Sequence, residues 1–191
     1  MKPVFTSASS PMEVDILTAD LLQQPGQIAM TMAPGKQDEE KEMIWSRDLQ
    51  ADLERLQKQF GINRLVCLLE DHELQQLGIP DLLTEAEARG VAIEHLPIPD
   101  EGLPDSMEVF AALVDRVVTA LSGGETVLIH CKGGRGRTGM VAGACLVKLG
   151  YLPEDAISTV RQVRSGALST AMKRDYVVQF HEAQATSQSG I

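Results

Sequence analysis

The chain has 191 residues, 43% of them hydrophobic, and its 17 basic against 27 acidic residues give a formal net charge of −10. That surplus of acid repels polyanions, which excludes nucleic acid as a general partner and argues against stable membrane association. No stretch reaches the roughly 20 apolar residues of a membrane span, and residues 1–11 lack the apolar core of a signal peptide, so the chain is expected to be cytoplasmic.

Residues 1–11 are expected to be loose, and 14–17 read as an edge strand. Strands follow at 27–32, 64–69, 91–96 and 126–129, where short β-branched and apolar runs sit between turn residues. Helical periodicity marks 47–59, 83–89, 105–121, 138–149, 153–164 and 169–184, and 186–191 read as a second loose end. The alternation predicts an α/β fold with a mostly parallel central sheet and helices on both faces. It forms one domain over residues 12–185, within the usual domain size.

The most informative segment is His130-Cys131-Lys132-Gly133-Gly134-Arg135-Gly136-Arg137-Thr138-Gly139. It joins the strand at 126–129 to the helix at 138–149, so it lies at a helix N-terminus, where unpaired N–H groups and the positive end of the dipole favour an anion. Gly133, Gly134 and Gly136 let successive N–H groups turn inward as an anion nest. Cys131 at the mouth of that nest should be held as thiolate. Arg137, after five intervening residues, is far enough along the chain to close the ring with a planar two-point grip that lysine cannot make. A nucleotide-binding P-loop is excluded, because its pattern begins with glycine and carries lysine where this chain has Cys131 and Arg137. An inert buried cysteine beside a flexible turn does not account for three glycines and two arginines between strand and helix.

His-Cys-x5-Arg-Thr-Gly resembles the signature loop of the protein tyrosine and dual-specificity phosphatase superfamily. The stretch from Trp45 to Phe180 is similar to its kinase-associated phosphatase (cyclin-dependent kinase inhibitor 3) branch. His95-Leu96-Pro97-Ile98-Pro99-Asp100-Glu101-Gly102-Leu103-Pro104-Asp105 and Arg164-Ser165-Gly166-Ala167-Leu168 carry that likeness. The resemblance implies a dual-specificity phosphatase-like fold and a phosphocysteine intermediate on Cys131. It also implies that the Thr138 hydroxyl supports the thiolate and that His130 orients the loop. Lys132, Gly133, Gly134, Arg135 and Gly136 would join Thr138 in binding substrate. Ser169 departs from the pattern, since the kinase-associated relatives carry glutamine there.

Phosphoester cleavage also needs an acid for the leaving oxygen. The segment 97–105, with three prolines, one glycine and three carboxylates, reads as an exposed loop between strand and helix. The resemblance assigns the acid to Asp100. Asp105 competes for the role, but Asp105 and Ser106 stand where a helix N-cap belongs.

Substrate choice stays open between two classes. The only tyrosines, Tyr151 and Tyr176, follow the loop, and the upstream aromatics are Phe5, Trp45, Phe60 and Phe110. Without the upstream tyrosine that walls the pocket of tyrosine-specific relatives, a shallower cleft is expected, open to phosphoserine and phosphothreonine as well as phosphotyrosine on a phosphoprotein. Lys132 and Arg135 add cations in a pattern similar to phosphoinositide phosphatases, the alternative substrate class. A module that binds phosphoproteins without hydrolysing them is the second alternative. No cofactor or metal is expected. Three cysteines with no secretory signal argue against a disulfide framework. Cys145 and Cys67 read as core, while relatives with a cysteine on the Cys67 strand imply a redox crosslink to Cys131.

Overall fold

The protein is described by a computed structural model covering residues 1–188. In chain order the elements are β1 (Val4–Thr6), β2 (Asp15–Leu17), α1 (Ala19–Leu22), β3 (Gln27–Thr31), β4 (Gln37–Glu39), β5 (Ile44–Ser46), α2 (Leu49–Phe60) and β6 (Arg64–Cys67). They continue as α3 (Asp71–Gln76), α4 (Leu82–Ala88), β7 (Ala92–His95), α5 (Met107–Ser122), β8 (Thr126–His130), α6 (Gly136–Lys148), α7 (Pro153–Val163) and α8 (Ala171–Gln188).

The central sheet runs β2-β3-β8-β6-β7, with β2 antiparallel at its edge and every other pairing parallel. The strand pleat sorts its side chains into two cores. Ile28, Met30, Val66, Val127 and Ile129 pack against α5–α8, while Ala29, Leu65, Cys67 and Leu128 pack against α2–α4. Burial on both faces is why these strands read as continuous apolar runs rather than alternating ones.

α5 places Phe110, Leu113, Val114, Val117 and Leu121 on one buried stripe, and Ser106 caps its N-terminus through Val109 N–H at 3.3 Å. The cap is Ser106, so Asp105 is released from that role and lies exposed on the loop. α6 is buried from Arg137 to Val147, which explains its apolar sequence all round. Because β6, β7 and β8 run parallel, their C-terminal ends open on the same edge, and the segments after them converge there.

Three readings of the sequence are corrected. Residues 1–11 are not loose throughout: β1 pairs with β5, and β5 with β4, in a second, three-stranded sheet where Phe5 stacks 5.3 Å from Trp45. Its three-residue strands are too short to show alternation, and β4 is largely charged. The helix expected from residue 47 begins at Leu49, because Asp48 is the N-cap, accepting from Ala51 N–H at 2.8 Å. Arg47 instead forms a buried two-point pair with Asp52, 2.8 Å on each arm. Residues 186–188, expected to be loose, complete α8, while 189–191 lie outside the described residues.

Candidate active site

β8 ends at His130, and the chain turns through Cys131–Arg135 before α6 begins at Gly136. The turn passes so close to β3 that a Cβ on Gly134 would lie 2.0 Å from the Thr31 carbonyl oxygen, and Gly134 adopts φ +68°. Only glycine fits there. Arg164, at the end of α7, holds the loop from outside: it donates to the carbonyl oxygens of Gly134, Gly133 (3.3 Å) and Met30 (3.3 Å) and pairs with Asp15 at 2.7 Å. With those carbonyls turned outward, the loop N–H groups are free to face the anion site, and Gly134 N–H points at Cys131 Sγ from 3.2 Å.

Cys131 is only 4% exposed. Burial pushes its thiol up, but the opposing influences win and hold it below its ordinary value. They are the Thr138 hydroxyl, the Arg137 charge and the Thr138 and Gly134 N–H groups. Thr138 Oγ1 is buried without a hydrogen-bond partner, so its hydroxyl is free to turn toward the sulfur. The sequence expectation of a stabilised thiolate rests on these atoms.

Arg137 is buried beneath the loop. Its Nη1 and Nη2 grip Glu73 at 2.6 and 2.9 Å, Nη1 also donates to the Ile98 carbonyl at 2.8 Å, and Nη2 reaches Asp100 at 3.2 Å. Glu73 sits in the first turn of α3, where it also accepts the Glu70 N–H at 2.9 Å in a capping box. Burial pushes the Glu73 carboxyl up, but the Arg137 guanidinium more than offsets this and holds it below the usual range. End-on pairing with Glu73 fixes the guanidinium plane and leaves its Nε side open to a two-point acceptor. Glu73 was missed by sequence reasoning. The Glu70-x-x-Glu73 spacing signals a helix start, but nothing in it points to an arginine 64 residues later.

Asp100 stands on the loop between β7 and α5, its side chain 62% exposed and in contact with Arg137. A turn closed by Gly102 N–H to the Pro99 carbonyl at 2.9 Å shapes this loop. Asp105 makes no hydrogen bond or ion pair to the Cys131 loop. The two carboxylates are thereby separated by geometry.

The remaining candidates fall in different places. Lys132 turns away to pair with Asp38 at 3.0 Å, and Asp38 also meets Lys36 at 3.4 Å. Arg135 is exposed, and its Cδ lies over Gly166. Gly133 and Arg135 border a cleft of about 590 Å³ whose other walls include Phe5, Trp45, Met43 and Arg164. His130 donates from Nδ1 to the Cys131 carbonyl at 3.3 Å, and burial drives its imidazole down to about 4, so it is neutral at physiological pH. Cys67 is a free thiol beside His130 in the sheet register, in the core on the opposite face from Cys131. Ser169 is exposed before α8, and its carbonyl accepts from Arg174 at 2.7 Å. Among the described residues no cluster of three or more His, Cys, Asp or Glu could hold a metal ion, and no helix is long and apolar enough to cross a membrane.

Comparison with known proteins agrees with this arrangement. The family model for cyclin-dependent kinase inhibitor 3 matches residues 9–163. The chain is similar to cyclin-dependent kinase inhibitor 3 of Rattus norvegicus (34% identity, 73% of this chain, 66% of the relative) and of Homo sapiens (34%, 75% and 68%). It thus spans about two thirds of the length of these relatives. The solved structure of a kinase associated phosphatase, with its catalytic-site cysteine replaced by serine, superposes with a TM-score of 0.82 at 29% identity over 92% of this chain and 97% of that one. The chain belongs to the cyclin-dependent kinase inhibitor 3 family, within the tyrosine and dual-specificity phosphatase superfamily.

Proposed function

We propose that the protein is a cysteine-dependent phosphatase that removes phosphate from phosphotyrosine and phosphoserine/threonine of a phosphoprotein. The observation that carries this reading is Cys131, held below its ordinary pKa in a loop where the buried Arg137 links Glu73 to Asp100.

In the first step the Cys131 thiolate attacks phosphorus in line. An S–P bond forms, the P–O bond breaks, and the leaving oxygen takes a proton from Asp100. A phosphoryl group gripping Arg137 through Nε and Nη2 displaces Asp100 from Nη2 and leaves its carboxyl beside the leaving oxygen. In the second step water attacks phosphorus and gives a proton to the Asp100 carboxylate. The S–P bond breaks, and Thr138 receives the returning thiolate. Charge on the three non-bridging oxygens is met by the loop N–H groups and Arg137, whose orientation Glu73 and Arg164 set beforehand.

Two observations weigh on the alternatives. Lys132, one of the two extra cations that suggested a phosphoinositide, has its charge matched by Asp38. A binding module needs no thiolate, yet the groups around Cys131 favour one.

A release assay on phosphotyrosine peptides, phosphoserine/threonine peptides and phosphoinositides separates these readings. Wild type should release phosphate from the peptides, Cys131→Ser from none, and Asp100→Asn should lower kcat about 100-fold or more. Cys131-independent release, or hydrolysis confined to phosphoinositides, would overturn the proposal.

A further inference from the structure

Among the described residues five lysine and arginine side chains are buried: Lys36, Arg47, Arg137, Arg164 and Lys173. Four have carboxylates. Lys36 pairs with Asp38 and Glu40, Arg47 with Asp52, Arg137 with Glu73 and Asp100, and Arg164 with Asp15. Lys173 is equally buried, 5% exposed, and no hydrogen bond or ion pair holds it. Its stem is packed away while its ammonium meets no carboxylate, so unlike the other four its charge is left for an anion that reaches it from outside.

The position of Lys173 says where that counter-charge would come from. In the first turn of α8, it lays its side chain over Gly136, the residue at which the anion loop becomes α6. A Cβ on Gly136 would meet Lys173 Cε at 3.2 Å, Cδ at 3.4 Å and Nζ at 3.5 Å. The absent Gly136 side chain is therefore what lets this ammonium approach the loop.

Building on the phosphatase reading, we infer that Lys173 is a phosphate ligand of the site, its ammonium donating to a non-bridging phosphoryl oxygen on the Gly136 side of the loop. Arg137 already carries two carboxylates, so its positive charge is largely matched before substrate arrives. Lys132 is matched by Asp38 and Arg164 by Asp15. Lys173 is the buried cation left to balance a dianion, alongside the neutral N–H donors of the loop.

Binding of inorganic phosphate to Cys131→Ser protein, by calorimetry, tests this without turnover. Adding Lys173→Met, which keeps the length of the stem over Gly136, should weaken phosphate binding about tenfold or more, while Lys173→Arg keeps much of it. The melting temperature of Lys173→Met should stay near that of its parent, and Lys173→Gln serves as the second neutral variant should the Met protein not fold. In the active protein Lys173→Met should raise KM for a phosphopeptide and the inhibition constant for free phosphate together. Phosphate affinity within about twofold of the parent in both neutral variants would overturn the inference and leave Lys173 as packing over Gly136. If the wild type releases no phosphate from any phosphoester while phosphate binding still depends on Lys173, the catalytic reading fails and this ligand assignment stands.

Discussion

Cys67 ends β6 and Cys131 follows the end of the neighbouring β8, at the same edge of one sheet, and both are almost wholly removed from solvent. Burial pushes both thiols up, yet Cys67 is driven to about 12 whereas Cys131 ends below its ordinary value. The difference is not exposure. Cys67 points into the α2–α4 core among leucines, with the Leu69 backbone as its one hydrogen-bonding influence. Cys131 faces the Thr138 hydroxyl, two loop N–H groups and a fixed guanidinium. One residue type in one fold thus becomes a core thiol or a stabilised thiolate according to which donors surround it. Cys145, inside α6 and also pushed up by burial, behaves like Cys67 and marks the ordinary outcome.

Alkylation should display that contrast most strongly. At neutral pH iodoacetate should modify Cys131 faster than Cys67 by about four orders of magnitude or more, since a thiol near 12 has about one part in 10⁵ as thiolate at pH 7. The rate at Cys131 should rise with pH to a plateau whose midpoint lies below 9.0, its unperturbed reference. Peptide mapping after a short exposure reads the selectivity, and equal labelling of Cys67 would break the comparison.

Removing the support of the guanidinium comes next in size. Glu73→Ala leaves Arg137 buried with the exposed Asp100 as its only carboxylate, and breaking such a buried pair costs about 3 to 5 kcal/mol. Denaturant unfolding should record that loss. The midpoint of Cys131 alkylation should also move, because Arg137 no longer holds a fixed orientation beside the sulfur. Glu73→Gln, which still accepts one Arg137 N–H, should recover part of both effects.

What could be foreseen follows the range of the interactions. The loop from Cys131 to Arg137 and the strand and helix that flank it were legible because their determinants lie within about 20 consecutive residues. The central sheet was legible for a similar reason, as burial on both faces leaves unbroken apolar runs such as Val127-Leu128-Ile129. Glu73 and Arg164 were not legible as site residues. Their partners lie 64 and 30 residues away, and a carboxylate in a helix start or an arginine at a helix end reads as surface until the fold closes over it. The small sheet escaped for a different reason: three-residue strands carry too little pattern, and its contacts rest on Phe5 against Trp45 and on the buried Arg47–Asp52 pair.

His130 sharpens the comparison through acid stability. Its imidazole is held near 4 in the folded protein against about 6.5 when exposed, so the unfolded chain binds more protons between those values. Stability is therefore complete above about pH 6.5, falls as pH drops toward about 4, and levels off below, a loss of roughly 3 kcal/mol. Glu73, held low by Arg137, adds its own loss only at lower pH, as its carboxylate takes up a proton. His130→Gln should flatten the first window and spare the second in denaturant midpoints taken across pH.

Peroxide gives the smallest effect and the closest test of how far the two cysteines differ. The rate of inactivation depends on the Cys131 thiolate alone, so Cys67→Ser should leave it unchanged. Cys67 can act only afterwards, by displacing water from a sulfenic Cys131 to form the crosslink that the family resemblance implies. That attack needs a thiolate which burial suppresses, so the disulfide should form slowly compared with the initial oxidation. Cys67→Ser should then lower only the fraction of activity recovered by dithiothreitol after long exposure. Peptide mapping that finds Cys131 over-oxidised in wild type, with no Cys67–Cys131 peptide at any time, would remove Cys67 from redox chemistry and leave it purely a core residue.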